Sequence, residues 1–244
     1  MGMARASRGY IPGLIWHITH RCHKREFLLK FFRDRKRWLF WLFKAKKRYG
    51  LCVLNYAVTC NHIHLLVNDV KRRNIIPEAM RLIAGRTAQE YNQRKNRRGA
   101  FWEDRYHATA VESDIHLNQC MVYIDMNMVR AGVVNHPKDW PFCGYNEILS
   151  NQQRYKLIDD HSLIRILNMK DRESLKQSYT KWIADAIETR GLKRESRWTE
   201  SLAVGSKEFI ERINIKLGLG LRDRIIREHE GVFELHECII PYGD

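Results

Sequence analysis

Apolar positions along the chain follow two rhythms. Short runs rich in β-branched and aromatic residues alternate with longer stretches in which apolar residues recur at helical spacing. "GLIWHITHRC" (13–22) follows a Pro-Gly break and reads as a first strand. "EFLLKFFRDRKRWLFWLFKAKKRYG" (26–50) reads as a helix with many cations, stopped by Gly50. "LCVLNYAVT" (51–59) and "HIHLLVND" (62–69) form a hairpin around a tight Cys-Asn turn. "IPEAMRLIAGRTAQEYNQRK" (76–95) is a second helix, with proline near its start. "RYHATAVES" (105–113) is a fourth strand, and "SDIHLNQCMVYIDMNMVRAG" (113–132) a third helix, capped by Ser113 or Asp114 and stopped by Gly132.

The order β-α-β-β-α-β-α predicts an α+β fold, a ferredoxin-like antiparallel sheet with helices on one face. This first domain spans 1–150. Beyond it the pattern changes to short amphipathic helices at 161–168, 173–190, 206–217 and 220–229, so 151–244 is expected to be a small helical domain or extension.

Charge narrows the class of partner. Residues 1–150 hold 26 Lys and Arg against 12 Asp and Glu, a net +14; residues 151–244 hold 17 against 16, a net +1. The whole chain is at +15, which calls for a polyanion met by the first part. The longest apolar run, "WLFWLF" (38–43), is too short to span a bilayer, and the N-terminus has no apolar signal core, so no membrane role and a cytoplasmic location are expected. Six scattered cysteines without a C-x-x-C pair read as reduced thiols.

Two histidines stand out because they interrupt an otherwise apolar strand. Alternation puts His62 and His64 on one face and Ile63 on the other. Two imidazoles are too few to make a good metal site, so a further donor must converge on them. On the third helix Tyr123 and Asn127 are four apart and share a face, with Gln119 one turn earlier as a spare amide. A second paper constellation, His17, His20, Cys22 and His23, fits no zinc spacing and reads as strand-end residues near the polyanion.

The stretches "YIPGLIWHIT" (10–19), "CNHIHLLV" (60–67), "FWEDRYHATAV" (101–111), "YIDMNMVRAGVV" (123–134) and "WPFCGYNEI" (140–148) occur in this order. Together they resemble the single-tyrosine HUH transposases (IS200-like transposases), and most closely the bacterial REP-associated tyrosine transposases. Cys60 and Met128 stand where that family has proline. The resemblance implies an HUH endonuclease fold and assigns His62, His64 and Asn127 to a Mg²⁺ or Mn²⁺ ion and Tyr123 to the nucleophile. It implies cleavage and rejoining of single-stranded DNA through a 5′-phosphotyrosine link, at hairpins of repeated extragenic palindromes in the bacterial nucleoid, by a monomer or homodimer. Tyr106, Tyr91 and Tyr145 are the other tyrosines weighed for the nucleophile, as a sheet residue, a helix residue on a basic face and a loop residue respectively. The alternative is a non-catalytic DNA-binding regulator on the same scaffold.

Phosphate contacts are expected from the basic clusters, with Arg21, Lys24 and Arg25 near the first strand and Arg94, Lys95, Arg97, Arg98 and Arg105 around the loop before the fourth strand. Clusters at 33–37, 44–48 and 71–73 add to these. Phe101 or Trp102 would offer a face to an unpaired base, with a core position for Trp102 the equal alternative. Arg5 and Arg8 in the N-terminal arm would read guanine edges.

Overall fold

The computed structural model describes residues 11–69, 74–151, 154–189, 194–218 and 223–238. Arg5, Arg8 and the 71–73 cluster lie outside them. The fold is α+β. The four expected strands are present: β1 (Ile15–Arg21), β2 (Cys52–Val58), β3 (His62–Asn68) and β4 (His107–Val111). So are the three expected helices, α1 (Phe32–Tyr49), α2 (Ile75–Arg94) and α3 (Ile115–Asp125), the last continued after a break by α4 (Asn127–Arg130). β1 is central, antiparallel to both β3 and β4, and β2 pairs antiparallel with β3.

Gly50 ends α1 in the left-handed region, with φ 70° and its N–H bonded to the Lys46 carbonyl. The helix starts six residues later than its amphipathic pattern suggests. Lys24 and Arg25 take positive φ, 51° and 58°, and turn residues 23–31 into a loop. Arg35 fixes that loop by donating to the carbonyls of Leu29 and Lys30. α3 begins after Asp114, but no side chain caps it.

The C-terminal part requires a correction. α6 (Asp160–Ile166), α7 (Arg172–Glu188) and α9 (Lys207–Leu217) are helical as expected, preceded by the short α5 (Gly144–Leu149), with α8 (Arg197–Glu200) between α7 and α9. The stretch expected as a helix at 220–229 instead contributes β6 (Arg224–His229), paired in a hairpin with β7 (Val232–Glu237). Glu230 and Gly231 both have positive φ, which fits a two-residue hairpin turn. A three-residue strand, β5 (Ala203–Gly205), pairs parallel with β4 and antiparallel with β7. One seven-stranded sheet results, in the order β2-β3-β1-β4-β5-β7-β6, and it runs across residue 150. Non-local pairing that buries Leu235 overrides the local helical pattern.

Helices cover both faces of the sheet rather than one. On the first face His20 stacks on Trp102, whose indole donates to the Ala84 carbonyl of α2. On the second, Asn55 donates to the Met121 carbonyl and to Asp125 of α3 and to Tyr179 of α7. Among the described residues no helix is long and apolar enough to cross a membrane.

Candidate active site

The hairpin turn between β2 and β3 sets His62. Thr59 N–H and the His62 carbonyl close the turn at 3.0 Å. His62 Nδ1 donates to Asn61 Oδ1 (2.7 Å) and lies 3.0 Å from Thr59 Oγ1, which puts the ring's lone pair on Nε2. The register β1–β3–β2 places Thr19, His64 and Ala57 side by side on the second face, while Ile63 is fully buried under the first.

The protonation pattern at His64 follows from a backbone carbonyl. His17 Nδ1 lies 2.8 Å from the Trp198 carbonyl oxygen, which only accepts, so this nitrogen carries the proton. His17 Nε2 must then accept, at 2.9 Å, from His64 Nδ1. His64 Nε2 is left as an acceptor and meets the Asn127 amide at 2.9 Å. Burial keeps the relay neutral: His17 is held down at about 3, and His64 well below the usual histidine range. His62 falls to about 4, first through burial and then through Arg21, Arg194 and Arg130.

Helix α3 brings Tyr123 to the same place. Its ring centre is 5.8 Å from that of His64, nearly perpendicular, and 6.3 Å from that of His17. Arg130 sits over the Tyr123 ring at 4.1 Å and donates to the Tyr123 carbonyl at 2.7 Å. Burial pushes the Tyr123 phenol up, while Arg130 and Arg194 pull it down. The break at Met126, with φ −72° and ψ −1°, lets Asn127 start a new short helix facing His64. Met128 is buried in the core, and Asn127 meets His64 without a proline after it.

These groups line one cleft of about 630 Å³. Arg21, Arg25, Arg105, Arg130 and Arg194 line it against Glu103, Asp104 and Glu200, so its walls are net positive. Gln119 does not reach it. Among the described residues no cluster of three His, Cys, Asp or Glu side chains is placed to hold a metal. The donors available are two imidazole nitrogens and one amide. Asn127 Nδ2 lies 2.9 Å from His64 Nε2, and with the amide turned over its oxygen, the atom that would hold a metal, takes that place. Imidazole nitrogens suit transition metals and an amide oxygen suits Mg²⁺ or Mn²⁺, so this donor set would take a divalent ion whose remaining positions are left to water and phosphate oxygens.

Other expected site residues disperse. Arg94 pairs with the buried Asp34 on the far side of α1. Arg97 braces its own loop, donating to the Ala100 carbonyl (2.9 Å) and meeting Glu26 at 3.5 Å. Trp102 is a packing residue held by His20 and Ala84, and Phe101 is buried, so neither presents a free ring face as expected. Lys24, Lys95 and Arg98 are exposed outside the cleft. Of the alternative tyrosines, Tyr91 packs edge-on against Phe101 and Tyr145 is buried beside Tyr179. Tyr106 meets His20 edge-on, at 6.2 Å. The set His17, His20, Cys22 and His23, which matched no zinc spacing, does not converge. His17 and His20 lie on opposite faces, and His17 supports His64 instead of facing solvent.

Several groups at the site were not singled out from the sequence. Arg130 had a signal, since it lies seven residues after Tyr123 on the same helical face. His17 lies on the strand beside β3, but its contact depends on pairing register. The Trp198 carbonyl and Arg194 come from the near-neutral tail and had no sequence signal.

Residues 11–127 match the family model described as transposase IS200 like. A solved chain described as a REP-associated tyrosine transposase bound to a REP hairpin is 19% identical, with a TM-score of 0.51 over 64% of this chain and 94% of its own. A putative transposase from Deinococcus radiodurans R1 is 18% identical, with a TM-score of 0.35 over 53% of this chain and 92% of its own. No curated protein matches.

Proposed function

Because residues 11–127 belong to the IS200-like transposase family, we propose that the chain is a metal-dependent endonuclease and strand transferase acting on single-stranded DNA through Tyr123. The observation that carries this reading is the meeting of Tyr123, Asn127 and a lone-pair-bearing His64 in one positively lined cleft.

His62, His64 and Asn127 would hold Mg²⁺ or Mn²⁺. When bound, the ion polarises the scissile phosphate and offsets the charge that develops on it. The residues of the chain do the rest. Arg21, Arg25 and Arg105 draw the phosphates in. Tyr123 Oη forms a bond to phosphorus as the bond from phosphorus to the 3′ oxygen breaks. The phenol proton leaves and the 3′ oxygen gains one, giving a 5′-phosphotyrosine and a free 3′-OH. Arg130 over the ring favours the phenolate against the cost of burial. A second 3′-OH reverses the step and joins strands. The related chain bound to a REP hairpin supports hairpin DNA from palindromic repeats as the substrate class.

The test is covalent trapping. Labelled single-stranded DNA bearing a hairpin is incubated with protein and Mg²⁺ or Mn²⁺, then run on a denaturing gel. A shifted band that needs both the ion and Tyr123 is expected. Binding with no adduct on any hairpin substrate would favour the non-catalytic regulator.

A further inference from the structure

We propose that Phe27, Phe31 and Phe32 form a stacking ledge for unpaired DNA bases leaving the cleft beside His62. This rests on the DNA-processing reading above and adds a second binding surface to it. The three rings are 64%, 55% and 59% exposed, within six residues of one another. At roughly 200 Å² for a fully exposed phenylalanine, their exposed surfaces sum to roughly 350 Å².

The ledge is held rigidly. Buried Arg35 stacks on Trp140 and Phe142 at 4.7 and 4.6 Å while donating to the carbonyls of Leu29 and Lys30. Phe32 rests edge-on against Phe142 at 5.0 Å. A ring fixed as Phe32 is loses little freedom when a base lands on it.

The ledge also joins the cleft. Leu29 N–H donates to the Cys60 carbonyl and Asn61 Nδ2 to the Arg25 carbonyl, so the loop is tied to the turn that carries His62. Arg25 lines the cleft and Phe27 follows two residues later.

Charge selects the occupant. Lys24, Lys30, Arg33 and Lys36 around the rings are exposed and make no ion pair with a described residue. The two acids of the segment are already paired, Glu26 with Arg97 and Asp34 with Arg94. Cations interleaved with exposed rings, Lys36 over Phe32 at 5.8 Å and Lys95 over Phe31 at 5.3 Å among them, fit a single strand, whose phosphates and bases alternate in the same way.

The probe is a fluorescein-labelled twelve-nucleotide oligothymidylate, followed by anisotropy at fixed salt without divalent ion. Stacking on these rings predicts that the triple variant Phe27→Ala, Phe31→Ala, Phe32→Ala binds at least about tenfold more weakly, with unchanged melting because the rings are exposed. Replacing the same positions by Trp should restore affinity, and a 5-iodouracil strand should crosslink to residues 27–32. Wild-type affinity in the triple Ala variant would overturn the ledge. So would ring-dependent binding to phosphatidylserine vesicles with oligothymidylate binding unaltered, which would make this a membrane surface. The assay needs no cleavage. Ring-dependent binding in a protein that forms no adduct would keep the ledge and discard only the proposed chemistry.

Discussion

His17 Nε2 and His64 Nδ1 face each other at 2.9 Å, with their rings within 11° of parallel. Neither atom touches the cleft's working end. The contact still decides which nitrogen of His64 can bind a cation, because the proton on Nδ1 frees Nε2. A partner behind a metal-binding histidine commonly fixes its tautomer and ring orientation.

That relationship gives the first prediction. His17→Phe fills the same space but cannot accept from His64 Nδ1. Mn²⁺ affinity, read by electron paramagnetic resonance of the free ion, should fall about 10- to 100-fold while the protein stays folded. His64→Ala should remove specific Mn²⁺ binding. An unchanged Mn²⁺ titration in His17→Phe would reduce His17 to a packing role.

Tyr123→Phe removes one hydroxyl and keeps the ring beneath Arg130. Hairpin binding should stay within about twofold of wild type, since a net hydrogen bond is worth only about 1 kcal/mol. The covalent adduct should vanish. A denaturant-resistant adduct in this variant would move the nucleophile elsewhere, with Tyr106 the first to test.

A chain ending at residue 150 should not fold cooperatively. It strips β4 of its β5 partner, His17 Nδ1 of the Trp198 carbonyl, Thr109 Oγ1 of the Ser201 carbonyl and Asp125 of the Tyr179 hydroxyl. Each buried polar group left without a partner costs about 1–3 kcal/mol, against a net stability of about 5–15 kcal/mol. Circular dichroism during thermal unfolding checks this. A sharp transition close to that of the full chain would show that 1–150 folds alone, as its charge and motifs suggest.

Asp125 gives a pH prediction. Burial raises its carboxyl to about 7, opposed by hydrogen bonds from Tyr179 and Asn55. The unfolded chain releases this proton near pH 4, so the native state holds more protons between about pH 4 and 7. Stability from this group is therefore lost as pH rises through 7. His17 and His62, held at about 3 and 4, act the other way and lose stability as pH falls below about 6.5. Asp125→Asn isolates the first effect, because its amide oxygen still accepts from Tyr179 and Asn55. The variant should gain stability over wild type from pH 5 to pH 8, by a few kcal/mol at most. Urea unfolding along that series measures it, and a difference that is flat with pH would mean Asp125 does not titrate there.

The elements up to residue 132 were legible because each carried its own local signal. β3 shows alternation around Ile63, α1 has Gly50 as a stop, and the spacing of Tyr123 and Asn127 places both on one helical face. The missed features depend on residues far apart in sequence. β5 is three residues long and has no period to read. β6 carries apolar residues that look amphipathic until β7 pairs with them. Arg94 and Arg97 look like phosphate ligands, and only the placement of Asp34 and Glu26 reveals them as braces. The supporting role of His17 needs both the strand register and a carbonyl 181 positions away.

That last separation bears on the order in which the protein is made. Synthesis runs from the N-terminus, and α3 with Tyr123 leaves the ribosome well before Trp198. Until that carbonyl arrives, His17 has no acceptor, and the proton on His64 can sit on either nitrogen. A chain that stops short of Trp198 thus lacks the group that sets the proton on His64. A tail that carries almost no net charge supplies, through one backbone carbonyl, the contact that sets the proton on a histidine of the third strand.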